Sequence, residues 1–210
     1  MNAELSQFYL LKVIAVFGAI VLIVAARLRR YHPFAAFGPA NQITTVRALL
    51  VSLVAGLIGE AHATTFAATA AALSTLATAL DGFDGWLARR TGMTSGFGAR
   101  FDMEVDALLI QVLSILVWRY GKAGAWVLAS GLVRYVFLAA GWAWRWIRVP
   151  LFASVRRKAI CVIQIGGLIV ALVPSLTWPQ SAWIAAGALG ALAYSFLIDT
   201  LWLWQRRSEL

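Results

Sequence analysis

Seven apolar runs, each near one bilayer thickness in length, occupy most of this sequence and leave it few ways to fold. They lie at roughly 10–26, 43–59, 64–82, 103–119, 123–144, 158–176 and 181–204. A helix rises 1.5 Å per residue, so about twenty apolar residues cross the hydrocarbon core. In lipid a spanning segment must satisfy its own backbone hydrogen bonds, which selects helices. The chain is 61% hydrophobic and 13% charged, with mean hydropathy +0.79, which excludes an ordinary soluble globule. The expected fold is therefore all-α: a polytopic integral membrane helix bundle of one domain within 210 residues. The lone cysteine, Cys161, sits in an apolar run, has no internal disulfide partner, and reads as packing.

The run at 10–26 could be mistaken for a signal peptide. Its leading segment is hardly basic, however, and it ends directly in Arg27, Arg29 and Arg30, so an uncleaved span is the better reading. Residues 31–42, with Pro33, Gly38 and Pro39, read as an interfacial connector. His32 and His62 have no partner in sequence and are assigned no role. The net charge of +9 could suggest nucleic acid, but the basic residues stand in short groups between apolar runs, as topology and anionic headgroups require. With the N-terminus outside, the inner segments hold Arg27, Arg29, Arg30, Arg89, Arg90, Arg100, Arg145, Arg148, Arg156, Arg157, Lys158, Arg206 and Arg207. Only Lys12, Arg119 and Lys122 fall outside. The expectation is a multi-pass protein of a bacterial inner membrane, with the loop after residue 82 in the cytoplasm.

That loop lies within the window 81–106, DGFDGWLARRTGMTSGFGARFDMEVD, which holds five of the nine acidic residues. Ionisable groups at the edge of a span are costly and suggest function. In helices, Asp81 and Asp84 are i,i+3 neighbours and Asp102 and Asp106 are i,i+4 neighbours, so each pair projects from one face. One pair ends a span and the other begins the next. Brought together, they make an oxygen-rich pocket for hard cations such as Mg²⁺ or Mn²⁺. Capping accounts for single aspartates, but four gathered carboxylates repel one another unless a cation joins them.

Asp81, Asp84, Gly85, Ala88, Arg89, Gly98, Asp102 and Asp106, at this spacing, resemble the signature of the CDP-alcohol phosphotransferase family. Those are integral membrane enzymes of phospholipid synthesis, and the resemblance covers about residues 39–207. It implies six core spans within 39–210, with 1–38 adding an extra N-terminal span and connector. It also implies transfer of a phosphatidyl-type group from CDP-diacylglycerol to an alcohol, with release of CMP. Two ions, Mg²⁺ or Mn²⁺, would be held by Asp81, Asp84 and Asp102 with Asp106 helping. The family's fourth aspartate is credited as general base, a role that falls here to Asp106. The expected partners are the CDP-lipid donor, the alcohol acceptor and membrane lipids; a homodimer is admitted and nucleic acid is not.

Other residues fill out the site. Asn41, Thr44 and Arg47 share one face by their i,i+3 spacing, offering donors and a charge at the cytoplasmic rim. A cap plus a snorkelling arginine is the plainer account, but a similar element lies beside the nucleotide in the resembled family. Gly85 and Ala88 leave room for a base or ribose, Arg89 can pair with phosphate oxygens, and Gly98 completes the expected nucleotide set. Arg134 stands inside an apolar span, where a guanidinium needs an anion or a polar cavity. In resembled enzymes with a phosphorylated acceptor, a similarly placed arginine grips that phosphate. Arg157 and Lys158 could join it, or be membrane-surface charge. This favours glycerol 3-phosphate, with inositol phosphate as the close rival. Met103 and Ala107 stand where members using glycerol 3-phosphate often carry proline and lysine. Asp199 is left between a buried ion pair and a polar notch. A cation transporter is the reading from another class, although transporters usually centre their acids in mid-membrane within repeated halves.

Overall fold

The computed structural model describes residues 4–31, 37–91, 95–144, 146 and 154–206; for residues 29–31, 84–89 and 91 it describes the backbone only. The described chain is helical: α1 Tyr9–Tyr31, α2 Pro39–Gly56, α3 Thr64–Thr91, α4 Gly96–Arg119, α5 Ala129–Ala143, α6 Val155–Leu172 and α7 Gln180–Gln205. A 3₁₀ turn at Ala125–Leu128 leads into α5. Among the described residues, four segments are long and apolar enough to cross a membrane: α1, α3, α5 with its lead-in turn, and α7. The other three helices also carry charge: Arg47 on α2, Asp102, Glu104 and Asp106 on α4, and Arg156, Arg157 and Lys158 on α6.

Several boundaries differ from those read off the apolar runs. α2 begins at Pro39 rather than 43, so the connector ends earlier and Asn41 and Thr44 lie within the helix. Pro39 suits a first helical position because its missing N–H has no partner to lose there, and Gly38 turns into it at φ 79°. α3 continues past 82 to Thr91, and α4 starts at Gly96 instead of 103. Ser95 sets that start: its Oγ accepts from the Gly98 N–H at 3.0 Å, an N-cap. Both aspartate pairs therefore lie inside long helices rather than at helix ends.

α4 runs through the middle of the bundle and touches α1, α2, α3, α5 and α6. Its Leu109, Leu113, Leu116 and Val117 are buried, as are Val51 and Val54 of α2 and Leu168 and Leu172 of α6. The most extensive helix pair is α2 with α3, where Ala67, Ala70 and Ala77 are buried. Small side chains let the two backbones approach closely. The hydroxyls of Thr69, Thr75 and Thr78 donate to carbonyls one turn back, at 2.8 Å each, so their polar atoms are satisfied within the helix. α1 lies largely outside this core. It docks through Tyr9 and Val13 over Gly56, where a Cβ would come within 2.6 Å of Val13.

The loops sort the molecule into two ends. At one end the Glu60 carboxylate accepts from the Ser6 N–H and hydroxyl at 2.7 Å each and pairs with Lys12. Nearby, His62 stacks at 5.2 Å on Tyr120, Lys122 donates to the carbonyls of Val173 and Leu176, and Ser181 donates to the Lys122 carbonyl at 2.6 Å. Burial holds the Lys122 ammonium below the ordinary lysine pKa. At the opposite end lie the aspartates and the basic turn of α6. Exposed tryptophans mark both levels: Trp118, Trp126, Trp178 and Trp183 toward the first end, Trp142, Trp144 and Trp204 toward the second. Indole rings favour the two interfaces of a bilayer.

Candidate active site

Asp81 comes from α3, and Asp102 and Asp106 come from successive turns of α4. One carboxylate oxygen from each lies within 4.8 Å of the others. Arg47 of α2 fills the space between them, with its side chain 1% exposed. Its Nη1 is 2.9 Å from Asp81 Oδ1 and is bonded to Asp102; its Nη2 is 2.5 Å from Asp106 Oδ1. The fork is completed by Nε, which donates to the Ala77 carbonyl at 3.0 Å. The sequence reading places Arg47 at the rim beside the nucleotide, whereas the structure turns it inward among the acids. A buried arginine so close to carboxylates gains more from them than from the rim.

One guanidinium facing three carboxylates leaves negative charge in excess, with Lys158 at the margin, 3.9 Å from Asp81 Oδ2. Asp81 Oδ1 is buried and makes no hydrogen bond despite its proximity to Arg47. An all-oxygen donor set with a buried acceptor left over suits a hard divalent cation. The expected fourth ligand, Asp84, lies one turn further along α3, and its side chain is outside the described residues.

A cavity of about 590 Å³ opens beside the acids. Asp81, Asp102 and Asp106 line it, and so do Arg134, Arg157 and Lys158. The three residues expected to bind the acceptor thus share a cavity with the acidic centre. Arg134 differs from expectation in one respect. Rather than sitting buried without a carboxylate, it is 28% exposed and its Nη2 donates to Glu104 Oε1 at 2.6 Å. Glu104 lies between Asp102 and Asp106 in sequence and on another face of α4, which frees it from the acidic centre. Cys161, read as inert packing, also lines the cavity, with Sγ 3.8 Å from Asp106 Oδ2.

Sequence reasoning left Asp199 undecided and treated Arg156 as a topology charge. The structure pairs them at 2.5 Å. Their signal was present in the i,i+4 spacing of Ser195 and Asp199, but the cation they meet depends on how α6 and α7 register. Asn41, Thr44 and Arg47 do share a buried face of α2. Asn41 and Thr44 each donate to a carbonyl one turn back, Asn41 to Phe37 and Thr44 to Ala40. Gly98 meets Asn41: a Cβ at 98 would lie 2.8 Å from Asn41 Oδ1, so glycine there permits α4 to approach α2. Of Gly85, Ala88 and Arg89, the rest of the expected nucleotide set, only the backbone is described, and it is helical.

The CDP-alcohol phosphatidyltransferase family matches this chain over residues 37–198, from just before α2 to near the end of α7. The chain belongs to that family. Membership supports transfer of a phosphatidyl group from a CDP-linked alcohol, and the matched region contains the acidic centre and the lining of the cavity beside it except Asp199. α1 lies outside the match. No solved structure matches the chain.

Proposed function

We propose that this phosphatidyltransferase moves a phosphatidyl group from a CDP-diacylglycerol-type lipid to an alcohol that carries a phosphate, such as glycerol 3-phosphate, and releases CMP. The observation that carries the reading is one cavity lined both by the carboxylates and by Arg134, Arg157 and Lys158. Asp81, Asp84 and Asp102, with Asp106 helping, would hold Mg²⁺ or Mn²⁺ ions, which supply charge neutralisation at the diphosphate oxygens. Asp106 takes the proton from the acceptor hydroxyl as that oxygen forms its bond to the β-phosphorus of the donor. The bond from that phosphorus to the CMP oxygen breaks, and CMP leaves. Arg47 keeps Asp106 and Asp102 in place throughout. Asn41, Thr44, Gly85, Ala88, Arg89 and Gly98 form the nucleotide side, and Arg134, Arg157 and Lys158 receive the acceptor phosphate.

In the same reading all seven helices cross the membrane, α1 as an added span before the family domain of 39–210. The acidic end faces the cytoplasm of a bacterial cell, where CMP is released. A cation-transport reading fits less well, because the acids gather at one end of the bundle. The deciding experiment supplies CDP-diacylglycerol with a panel of alcohols to the purified protein and detects CMP. The reading expects CMP with phosphorylated acceptors, in the presence of Mg²⁺ or Mn²⁺, and none from Asp81→Ala. Full turnover in excess chelator would end the metal assignment. Turnover with uncharged alcohols alone would end the acceptor assignment.

A further inference from the structure

Asp199 is a buried carboxylate, its side chain 5% exposed, that the acidic centre does not use. It lies on α7 against the first turn of α6, where Arg156, Arg157 and Lys158 follow one another. That turn is electrostatically unfavourable by itself. Helix N-termini carry partial positive charge and favour acids, yet the first turn of α6 has none, and Ser154 makes no side-chain cap. The opposing charge comes from the neighbouring helix. Arg156 Nη2 donates to Asp199 Oδ1 at 2.5 Å, and Nη1 donates to Ser195 Oγ at 2.8 Å and to the Ser195 carbonyl at 2.9 Å. Both arms of a rigid planar fork are thus aligned along one turn of α7. Arg157 Nη1 stands 3.7 Å from the same Asp199 oxygen, and Lys158 reaches toward Asp81. Asp199, Ser195, Arg157 and Lys158 all line the cavity; Arg156 does not.

We propose that Asp199, with Ser195, is a positioning residue: it clamps Arg156 to α7 and so sets the first turn of α6 with Arg157 and Lys158 toward the cavity, ready for the acceptor phosphate. This rests on the acceptor reading above. In this role Asp199 needs no contact with the donor or the reacting atoms. It acts by fixing where two cations stand, so its loss should weaken anion binding and spare the nucleotide side.

The test measures binding of inorganic phosphate, and separately of CMP, to the full-length protein in detergent. Asp199→Asn, which keeps the shape and removes the charge, should weaken phosphate binding by about tenfold, equivalent to about 1.4 kcal/mol. CMP affinity should stay within about twofold of wild type, on the same scale. Asp199→Glu, which keeps the charge, should recover most of the loss. Where Asp199→Asn fails to fold, the double change Arg156→Met with Asp199→Leu replaces the buried pair by apolar groups, a swap that is often neutral for stability. It should show the same selective loss. Wild-type phosphate affinity in these variants would overturn the proposal and leave the acceptor assignment intact. Equal losses of phosphate and CMP would also overturn it, since they would mark general damage. A wild-type protein that binds no phosphate yet releases CMP with an uncharged alcohol would remove the acceptor assignment and this proposal with it.

Discussion

Arg47 meets three carboxylates with one guanidinium, and removing it would leave those buried or half-buried acids mutually repelling. Breaking a buried ion pair from one side costs about 3–5 kcal/mol. Arg47→Met should therefore lower the melting temperature in metal-free detergent, and added Mg²⁺ should raise it more in the variant than in wild type. Thermal scans with and without Mg²⁺ check this; an equal response in both proteins would mean that Arg47 and the cation do not share the acids. Arg134 is a gentler case. A charge-assisted hydrogen bond contributes about 1.5–3 kcal/mol net, or roughly ten- to a hundredfold in affinity. Glu104 already engages this guanidinium, so Arg134→Gln should raise the acceptor KM toward the lower end, about tenfold, with donor Kd unchanged. Lost donor binding with an unchanged acceptor KM would move Arg134 to the donor side. At this scale the i,i+3 and i,i+4 spacings of the polar residues were legible, since helix geometry alone decides them. Which cation faces which acid was not: Arg47 and Asp102 stand 55 positions apart. Only the docking of α2 on α4 reveals their contact.

Helix α1 shows how far an element can be read from its own residues. Its apolar run marked a helix long enough to span, because apolarity is a property of its own residues. Its mooring was hidden, because Gly56 and Glu60 belong to a different part of the chain. Helix ends were misplaced for a related reason: apolarity reports the stretch in lipid, whereas caps such as Ser95 and turns such as Gly38 decide where a helix starts. α3 makes the difference plain, since its 28 residues extend about 42 Å, beyond a hydrocarbon core of about 30 Å. The mooring of α1 should depend on pH. The Lys12 ammonium, aided by the Ser6 N–H, holds the Glu60 carboxyl down to about 2, from an ordinary value of 4.5. A carboxyl lowered in the folded state stabilises it fully above the unfolded pKa and loses that contribution as pH falls through the folded one. The stabilisation from Glu60 should thus be complete above about 4.5 and fade toward 2. Glu60→Gln should melt below wild type at pH 7, and the gap should close as the pH falls across that window. A gap that stays constant from pH 7 to pH 2 would show that the carboxylate charge is not what moors α1.

The whole molecule has a charged end and a tethered end, and the arrangement makes a prediction about sidedness. Gly96 lies at the start of α4 beside the acids, exposed, with open space where a Cβ would stand. Gln180 opens α7 at the opposite end and is also exposed. Between them the chain passes through α4, α5 and α6. If each crosses the membrane, the number of crossings is odd and the two positions face different compartments. Most basic residues among those described lie toward the Gly96 end, so the proposed function expects that end in the cytoplasm. Cysteines placed singly at 96 and 180, in a Cys161→Ala background, should then react with impermeant reagents from opposite sides. The cysteine at 96 should label from the cytoplasmic face of inverted vesicles, and the one at 180 from the outer face of intact cells. Labelling of both from one side would mean that one of the three charged or shorter segments does not cross. Opposite labelling with the sides exchanged would keep the seven-span bundle but turn it over, placing CMP release outside the cell.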